Sequence, residues 1–221
     1  VTEPYPLPPH IYISLPSRFV QKRQWMSSPQ AKQLGVQEGR EADVSDVLFM
    51  TSRGGNAYNR HFSQAYLKPG LDPQDWVGRN NMIAQGLLQL DSTTLGFYVC
   101  RHYASDSCHL ALQTLRTDGF ARLRAGRQKG KVLTKPIVAH GQQLYLNFAT
   151  SAAGTVRIDV LNTEGKAIEG FSGRAAAKLF GDSVHHPVKW SKKRNWSELA
   201  GRTIRLRFSL TEADLYALQQ I

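Results

Sequence analysis

Residues 144–161 read LYLNFATSAAGTVRIDVL, and the two ends of that run decide the fold. In Leu144-Tyr-Leu-Asn-Phe148, and again in Val156-Arg-Ile-Asp-Val-Leu161, apolar and polar side chains alternate. That period of two marks a strand with one buried face. Gly154, between them, predicts a turn, and Asn162-Thr-Glu-Gly165 predicts another in which Gly165 supplies a positive φ. The alternation returns in Thr203-Ile-Arg-Leu-Arg-Phe-Ser-Leu210. Val184–Trp190 and Leu215–Leu218 read as further strands. Strands with one apolar face must pack that face against another sheet. Residues 131–221 are therefore expected to form a jelly-roll-like β-sandwich. Its core is expected from Leu144, Leu146, Val156, Ile158, Val160, Val188, Trp190, Ile204, Leu206 and Phe208. Helical periodicity is confined to single turns at 175–180 and 197–200.

Upstream, the same all-β reading continues in shorter pieces. His10-Ile-Tyr-Ile-Ser-Leu-Pro16 is a strand stopped by proline. The prolines at 4, 6, 8 and 9 make the opening extended and bar it from a central strand position. Residues 21–42 are polar and lack alternation, which predicts a long surface loop. Strands are expected over 47–52, 82–90, 95–103 and 110–116, with turns at Gly54-Gly55, Pro69-Gly70 and Asp72-Pro73. Residues 58–66 read as a strand or an irregular return. Short strands separated by turn signals describe antiparallel meanders, without βαβ units.

The chain has 221 residues, 20% of them charged, and a net charge of +11. No apolar run is long enough to span a membrane, and no signal peptide opens the sequence. The basic excess gathers at Arg122, Arg124, Arg127, Lys129, Lys131 and Lys135, then at Lys189, Lys192, Lys193 and Arg194. Both clusters fall in expected loops, where charge is solvated. No recognition helix, zinc finger or aromatic ribonucleoprotein motif accompanies them, which disfavours nucleic acid as a partner. Cys100 and Cys108 flank the hairpin YVCRHYASDSCHLAL. A disulfide and two free thiols are both open. With His102 and His109 the spacing fits no familiar zinc module, so no metal or cofactor is expected.

Several stretches carry a resemblance. LTKPIVAHGQQLYLNFATSAAGTVRIDVLNTEGKAIEGFS, FGDSVHHPVKW, LAGRTIRLRF and ADLYAL resemble the C-terminal sandwich of a family of bacterial glycoside hydrolase-like proteins. In that family the sandwich follows a five-bladed β-propeller related to the invertase and arabinanase propellers. PHIYISLPSRFV, DVLFMTSRGGNAYNRHF, LKPGLDPQDWVGRNNMIAQG and LRTDGFARLRAG resemble the last blades. Gly54-Gly55 departs from the family's Asp-Gly turn. The resemblance implies propeller-blade-like sheets over 1–130 and the sandwich over 131–221. It implies a carbohydrate partner and a secreted or periplasmic location. It also implies that the nucleophile or base Asp and the acid Glu lie on earlier blades, supplied by another chain or by an assembly of copies, so enzymatic activity depends on those blades.

Within this chain, Asp46 and Glu41 are the candidates for the paired carboxyl groups that glycoside hydrolysis requires. Asp43, Asp72 and Asp75 are the other acids considered, and Asp46 and Asp72 also read as caps that bond nearby backbone amides. For substrate contact the expected residues are Arg79, Asn80 and Asn81, then His10, Tyr12 and Arg18, then Arg53 and Arg60. Amide and guanidinium groups make the bidentate bonds that sugar hydroxyls or uronates need. The same residues could instead pin the blades together. Trp76 reads as a sugar platform or a core plug, Trp190 as buried, and Trp196 as an exposed platform in the basic loop. His185 and His186 are adjacent on a strand, point to opposite faces and cannot share a ligand.

Overall fold

The computed structural model describes residues 2–7, 10–191 and 194–221. Pro8, Pro9, Lys192 and Lys193, named above, lie outside them. The described residues are mostly β, with several antiparallel sheets and one short α-helix. Among them no sheet closes into a barrel and no propeller ring forms. The chain divides into two compact units, Val1–Leu115 and Arg116–Ile221.

The first unit holds three small sheets. β1 (Thr2–Pro4) is an edge strand on β2 (Tyr12–Ser14), the position left to a proline-bearing segment. β3 (Ser17–Val20) pairs with β4 (Val44–Val47), and β5 (Met50–Ser52) completes the first sheet beside β2. The expected strand over 47–52 is thus split between two sheets. β6 (Leu88–Gln89), β7 (Thr94–Arg101) and β8 (His109–Arg116) form the third sheet. The expected strand over 82–90 is reduced to β6 and one bridge, Ile83 to Val99. The Cys100 and Ala84 amides still donate to Met82 and Tyr98 carbonyls, so this stretch runs irregularly along β7.

The expected loop over 21–42 is corrected by α1 (Ser28–Gln33) and a 3-10 turn over Arg40–Ala42. Ser27 donates its backbone N–H to the Gln30 carboxamide oxygen at 2.9 Å, and Pro29 sits in the first turn. Both are helix-start signals. The helix buries Ala31, which joins Met26, Val36 and Val77 in a small apolar cluster with Trp76 against it.

The second unit is organised by two strands that pair along almost their whole length. After β9 (Leu123–Ala125), β10 (Gly130–Leu133) and β11 (Ile137–Val138) come β12 (Leu144–Leu161), β13 (Ala177–Leu179), β14 (Asp182–Pro187) and β15 (Thr203–Gln220). All seven belong to one sheet. β12 pairs β15 from Leu144–Gln220 to Leu161–Arg205, where two strands and a turn at Gly154 were expected. The segment expected as a helical turn at 175–180 is a 3-10 turn over Gly173–Ala175 followed by β13.

An 18-residue strand would run about 60 Å if straight, at about 3.3 Å per residue. A domain of this size has a radius of gyration of only about 13 Å. The pair must therefore bend, and its register shifts between Asn147 and Phe148 and between Thr150 and Thr155. On one side of the larger shift β10 and β13 flank the pair; on the other side β9 and β14 do. Bends of this kind let strands turn a corner and enclose a core. That core is a single cluster containing all the residues expected of it, and Phe148, Phe171, Leu179, Trp196, Leu199 and Leu210 are among those added.

Gly154 sits in the larger shift, where a Cβ would lie 2.3 Å from the Glu212 carbonyl oxygen. Backbone cannot yield there as a side-chain tip could. Gly154→Ala should therefore cost about 1–3 kcal/mol, read as a lower urea midpoint at unchanged slope.

The outer face of β12 is not uniformly wet either. Asp159 is 1% exposed although it lies on the face opposite Ile158 and Val160. Arg157 sits two residues away on its own strand, and Arg207 is its cross-strand partner. The Gly173 N–H donates to it at 2.9 Å. Burial pushes the Asp159 carboxyl up, but the Arg157, Gly173 and Arg207 hydrogen bonds outweigh it and hold the group below its ordinary value.

The expected division at 130/131 falls inside β10, while the compact units divide at 115/116. Nor are the basic residues all in loops. Arg124 lies in β9 and Lys131 in β10, and Arg122 and Arg124 both reach Asp214.

Candidate functional site

The residues singled out by sequence fall into separate groups. Arg18 on β3 faces Asp46 on β4 in the strand register and holds it in a two-pronged ion pair. The carboxylate expected as a cap or an acid is a cross-strand partner. Arg18 also reaches the Ser63 carbonyl, as does Arg60 at 3.2 Å, so these two arginines converge there. Tyr12 lies in β2 opposite Ser52, with the exposed Arg53 following. His10 is exposed. Glu41 is buried and accepts the Ser28 hydroxyl at 2.6 Å. That bond, its largest influence, draws its pKa below the ordinary glutamate value. A carboxyl held ionised in this way is poorly suited to act as a general acid.

Asn80 and Asn81 are both wholly buried. Asn80 donates to the Gln74 carbonyl and to Asp75 Oδ1, and its own oxygen accepts the Tyr103 N–H. Asn81 donates to the Ser45 and Asp75 carbonyls and accepts from Arg101. Every one of these bonds is internal, the arrangement of a structural pin. Arg79, between them and Gly78, stays exposed at a φ of 64°, its N–H bonded to Ser45 Oγ. At the centre, Asp75 accepts Arg101 at 3.0 Å and the His102 N–H at 3.3 Å.

This hub ties a 3-10 turn over Pro73–Asp75 to the hairpin between β7 and β8. Asp72 caps the turn by accepting the Gln74 N–H, as expected of it, and its other oxygen lies 3.0 Å from His102 Nε2. His102 Nδ1 lies 2.9 Å from Ser107 Oγ. The Gln74 amide is anchored on the Leu34 carbonyl and also reaches Ser107 Oγ at 3.1 Å. His109 sits edge-on to His102, ring centroids 4.9 Å apart. Cys100 and Cys108 are free thiols, their sulfurs 3.9 Å apart. Burial, first among several causes, pushes Cys100 up to about 11. Among the described residues no group of three or more His, Cys, Asp or Glu side chains could hold a metal.

The first unit also holds an aromatic pair. Trp76 donates its indole N–H to the Gly70 carbonyl, and Trp25 stacks on it with centroids 5.8 Å apart and planes at 22°. Trp25 is 53% exposed. Trp76 thus plugs the small cluster and also supports a platform. The platform expected in the second unit does not exist: Trp196 is 2% exposed, stacks on Trp190, itself buried, and bonds the His140 carbonyl at 2.8 Å. His185 and His186 do point apart, stacking on Tyr145 and meeting Phe148 edge-on respectively.

The second unit has a groove of about 440 Å³ lined by Arg124, Thr150, Ser151, Glu212 and Asp214, among others. Its charges are already satisfied. Asp214 takes both prongs of Arg124, which holds its pKa low, and Ser151 bonds Glu212. The tryptophan platform and the Asp72–His102–Ser107 array were both missed by sequence reasoning. Neither is a local motif, because each joins residues from segments distant in the chain.

No family model matches the chain, and no curated protein matches it. Among solved structures, a glycoside hydrolase family 43 arabinoxylan arabinofuranohydrolase from Bacillus subtilis, in complex with cellotetraose, is similar at 10% identity. The alignment covers 99% of this chain and 52% of that one, with a TM-score of 0.26. The chain therefore spans about half the length of that protein, and a likeness at this level carries no argument about function. What the fold itself defines is an antiparallel, mostly β chain of two compact units.

Proposed function

We propose that this chain is the carbohydrate-contacting part of a glycoside hydrolase-like protein, binding an oligo- or polysaccharide through its first unit. The observation that carries the reading is Trp25, half exposed and held flat by Trp76. An aromatic face that is both rigid and open suits the apolar face of a sugar ring. Asp72 and Ser107 are exposed and, beside their internal bonds, keep lone pairs that sugar hydroxyls can use. The sequence resemblance to propeller-bearing glycoside hydrolase-like proteins supports the same class. Hydrolysis would rest on carboxyl groups supplied from elsewhere, because Asp46 is held by Arg18 and Glu41 is kept ionised.

The test is a glycan array on the purified chain, followed by tryptophan-fluorescence titration with the best ligand. Trp25→Ala should weaken binding at least tenfold, equivalent to about 1.4 kcal/mol, while Trp196→Phe leaves affinity unchanged. Equal affinity for wild type and Trp25→Ala would sink the proposal.

A further inference from the structure

The donor and acceptor logic of the His102 ring fixes its tautomer. An ionised carboxylate only accepts, so Nε2 must carry the proton it gives to Asp72. In the neutral ring Nδ1 then holds a lone pair that can accept the Ser107 hydroxyl at 2.9 Å, closer than the competing Ser105 Oγ at 3.1 Å. A serine hydroxyl whose proton is held by an imidazole, itself oriented by a carboxylate, is the constellation of an activated nucleophile. The His102 side chain is only 14% exposed, whereas Ser107 is open to solvent.

The turn alone does not need this arrangement. It is already closed by the Ser105 N–H and hydroxyl on the His102 carbonyl and by the Cys108 N–H on the Ser105 carbonyl. His102 and Ala104 have φ of 53° and 63°, where glycine would be cheaper. Backbone held in sparsely populated regions clusters at functional sites. Asp72 arrives from a separate segment and reaches the ring with the oxygen its cap does not use.

We infer that Ser107, His102 and Asp72 form a nucleophile, base and orienting carboxylate for acyl transfer, with an acyl ester of a saccharide as the substrate class. The saccharide half of this statement rests on the carbohydrate reading above; the nucleophile does not. Ser107 Oγ attacks the ester carbonyl carbon as its proton passes to His102 Nδ1, and the carbonyl π pair moves to oxygen. Gln74 Nε2 donates to Ser107 Oγ itself in the resting site, and that N–H would have to pass to the oxyanion as the tetrahedral centre forms. Collapse breaks the bond to the sugar oxygen, which takes the proton from Nδ1 and leaves as the free hydroxyl. Water then attacks the acyl-Ser107, its proton going to Nδ1, and releases the carboxylic acid with Ser107 restored.

The experiment is labelling with a fluorophosphonate, a probe directed at activated serines, so that Cys108 beside Ser107 is not its target. Site and rate are read by peptide mass spectrometry. Labelling should fall on Ser107 and vanish in Ser107→Ala. It should slow at least about 100-fold in Asp72→Asn, the scale of losing a positioned base. Asparagine is also a good cap, so this variant keeps the Pro73–Asp75 turn, and near-UV circular dichroism should match the wild type. Absence of label on Ser107, or an undiminished rate in folded Asp72→Asn, overturns the inference. Release of acetate from an acetylated oligosaccharide, lost in Ser107→Ala, should accompany labelling. Labelling that persists in Trp25→Ala while sugar binding weakens at least tenfold is also expected, and it separates failure of the platform from failure of the nucleophile.

Discussion

Trp196→Ala should destabilise the Arg116–Ile221 unit by about 3–5 kcal/mol, the range for truncating a buried tryptophan. The indole is 2% exposed, stacks on Trp190 at 5.7 Å, and uses its N–H on the His140 carbonyl. Alanine removes the contact area, leaves a cavity against Trp190, and orphans a carbonyl. A small domain holds about 5–15 kcal/mol in total, so this variant should unfold at a much lower urea concentration. Trp196→Phe keeps part of the area and should lose less. A loss below about 1 kcal/mol for the alanine variant would show that the indole is not packed as described.

Asp159→Ala should cost about 2–4 kcal/mol. It strips Arg157 and Arg207 of their shared partner and leaves the Gly173 N–H without its acceptor. The figure sits below that for a fully buried pair because Arg207 is 41% exposed and can turn to water. The sign of the pH dependence follows from the lowered carboxyl. The folded Asp159 binds its proton only at a pH below that of the unfolded chain. Its contribution is therefore complete above the ordinary carboxylate range, near pH 4. It is lost as pH falls from there through the folded value. Asp214, also held low, adds in the same direction. Urea midpoints of wild type and Asp159→Asn should differ most at pH 7 and converge towards pH 3. A constant gap would mean that the carboxylate charge plays no part.

The second unit was the more legible because its strands alternate strictly. Each expected core residue is buried, including Val188 and Trp190. Alternation says which face is inside but not where a strand ends, so a bend within one strand was read as a turn between two. Gly154 signalled a real departure from regularity, whose nature is set by the Glu212 carbonyl against it. In the first unit the apolar run 82–90 lacked alternation, and only part of it pairs as strand. α1 carried its signal in Ser27, Pro29 and Gln30, but six residues are too few for a periodic stripe. Trp196 was misjudged because its neighbours are basic. A side chain two residues from Arg194 can still turn inward, and local charge does not report that. Asp72 was read correctly as a cap, since capping is a matter of adjacent residues. Its second bond, to a histidine thirty positions on, is not.

The long pairing of β12 with β15 also bears on how the chain comes off the ribosome. β12 emerges early, with Leu146, Phe148, Ile158 and Val160 along its inner face, yet its main partner begins only at Thr203. β13 and β14 can pair one edge of β12 before then, but the edge that β15 fills stays open beside an apolar side, the form most prone to wrong partners. Once β15 is made, the shortest closure joins Leu161 to Arg205, and pairing can zip from there towards Leu144 and Gln220. The corner at Gly154 lies midway along that zipper. A residue that cannot turn it would stall the process with half the core still open to solvent.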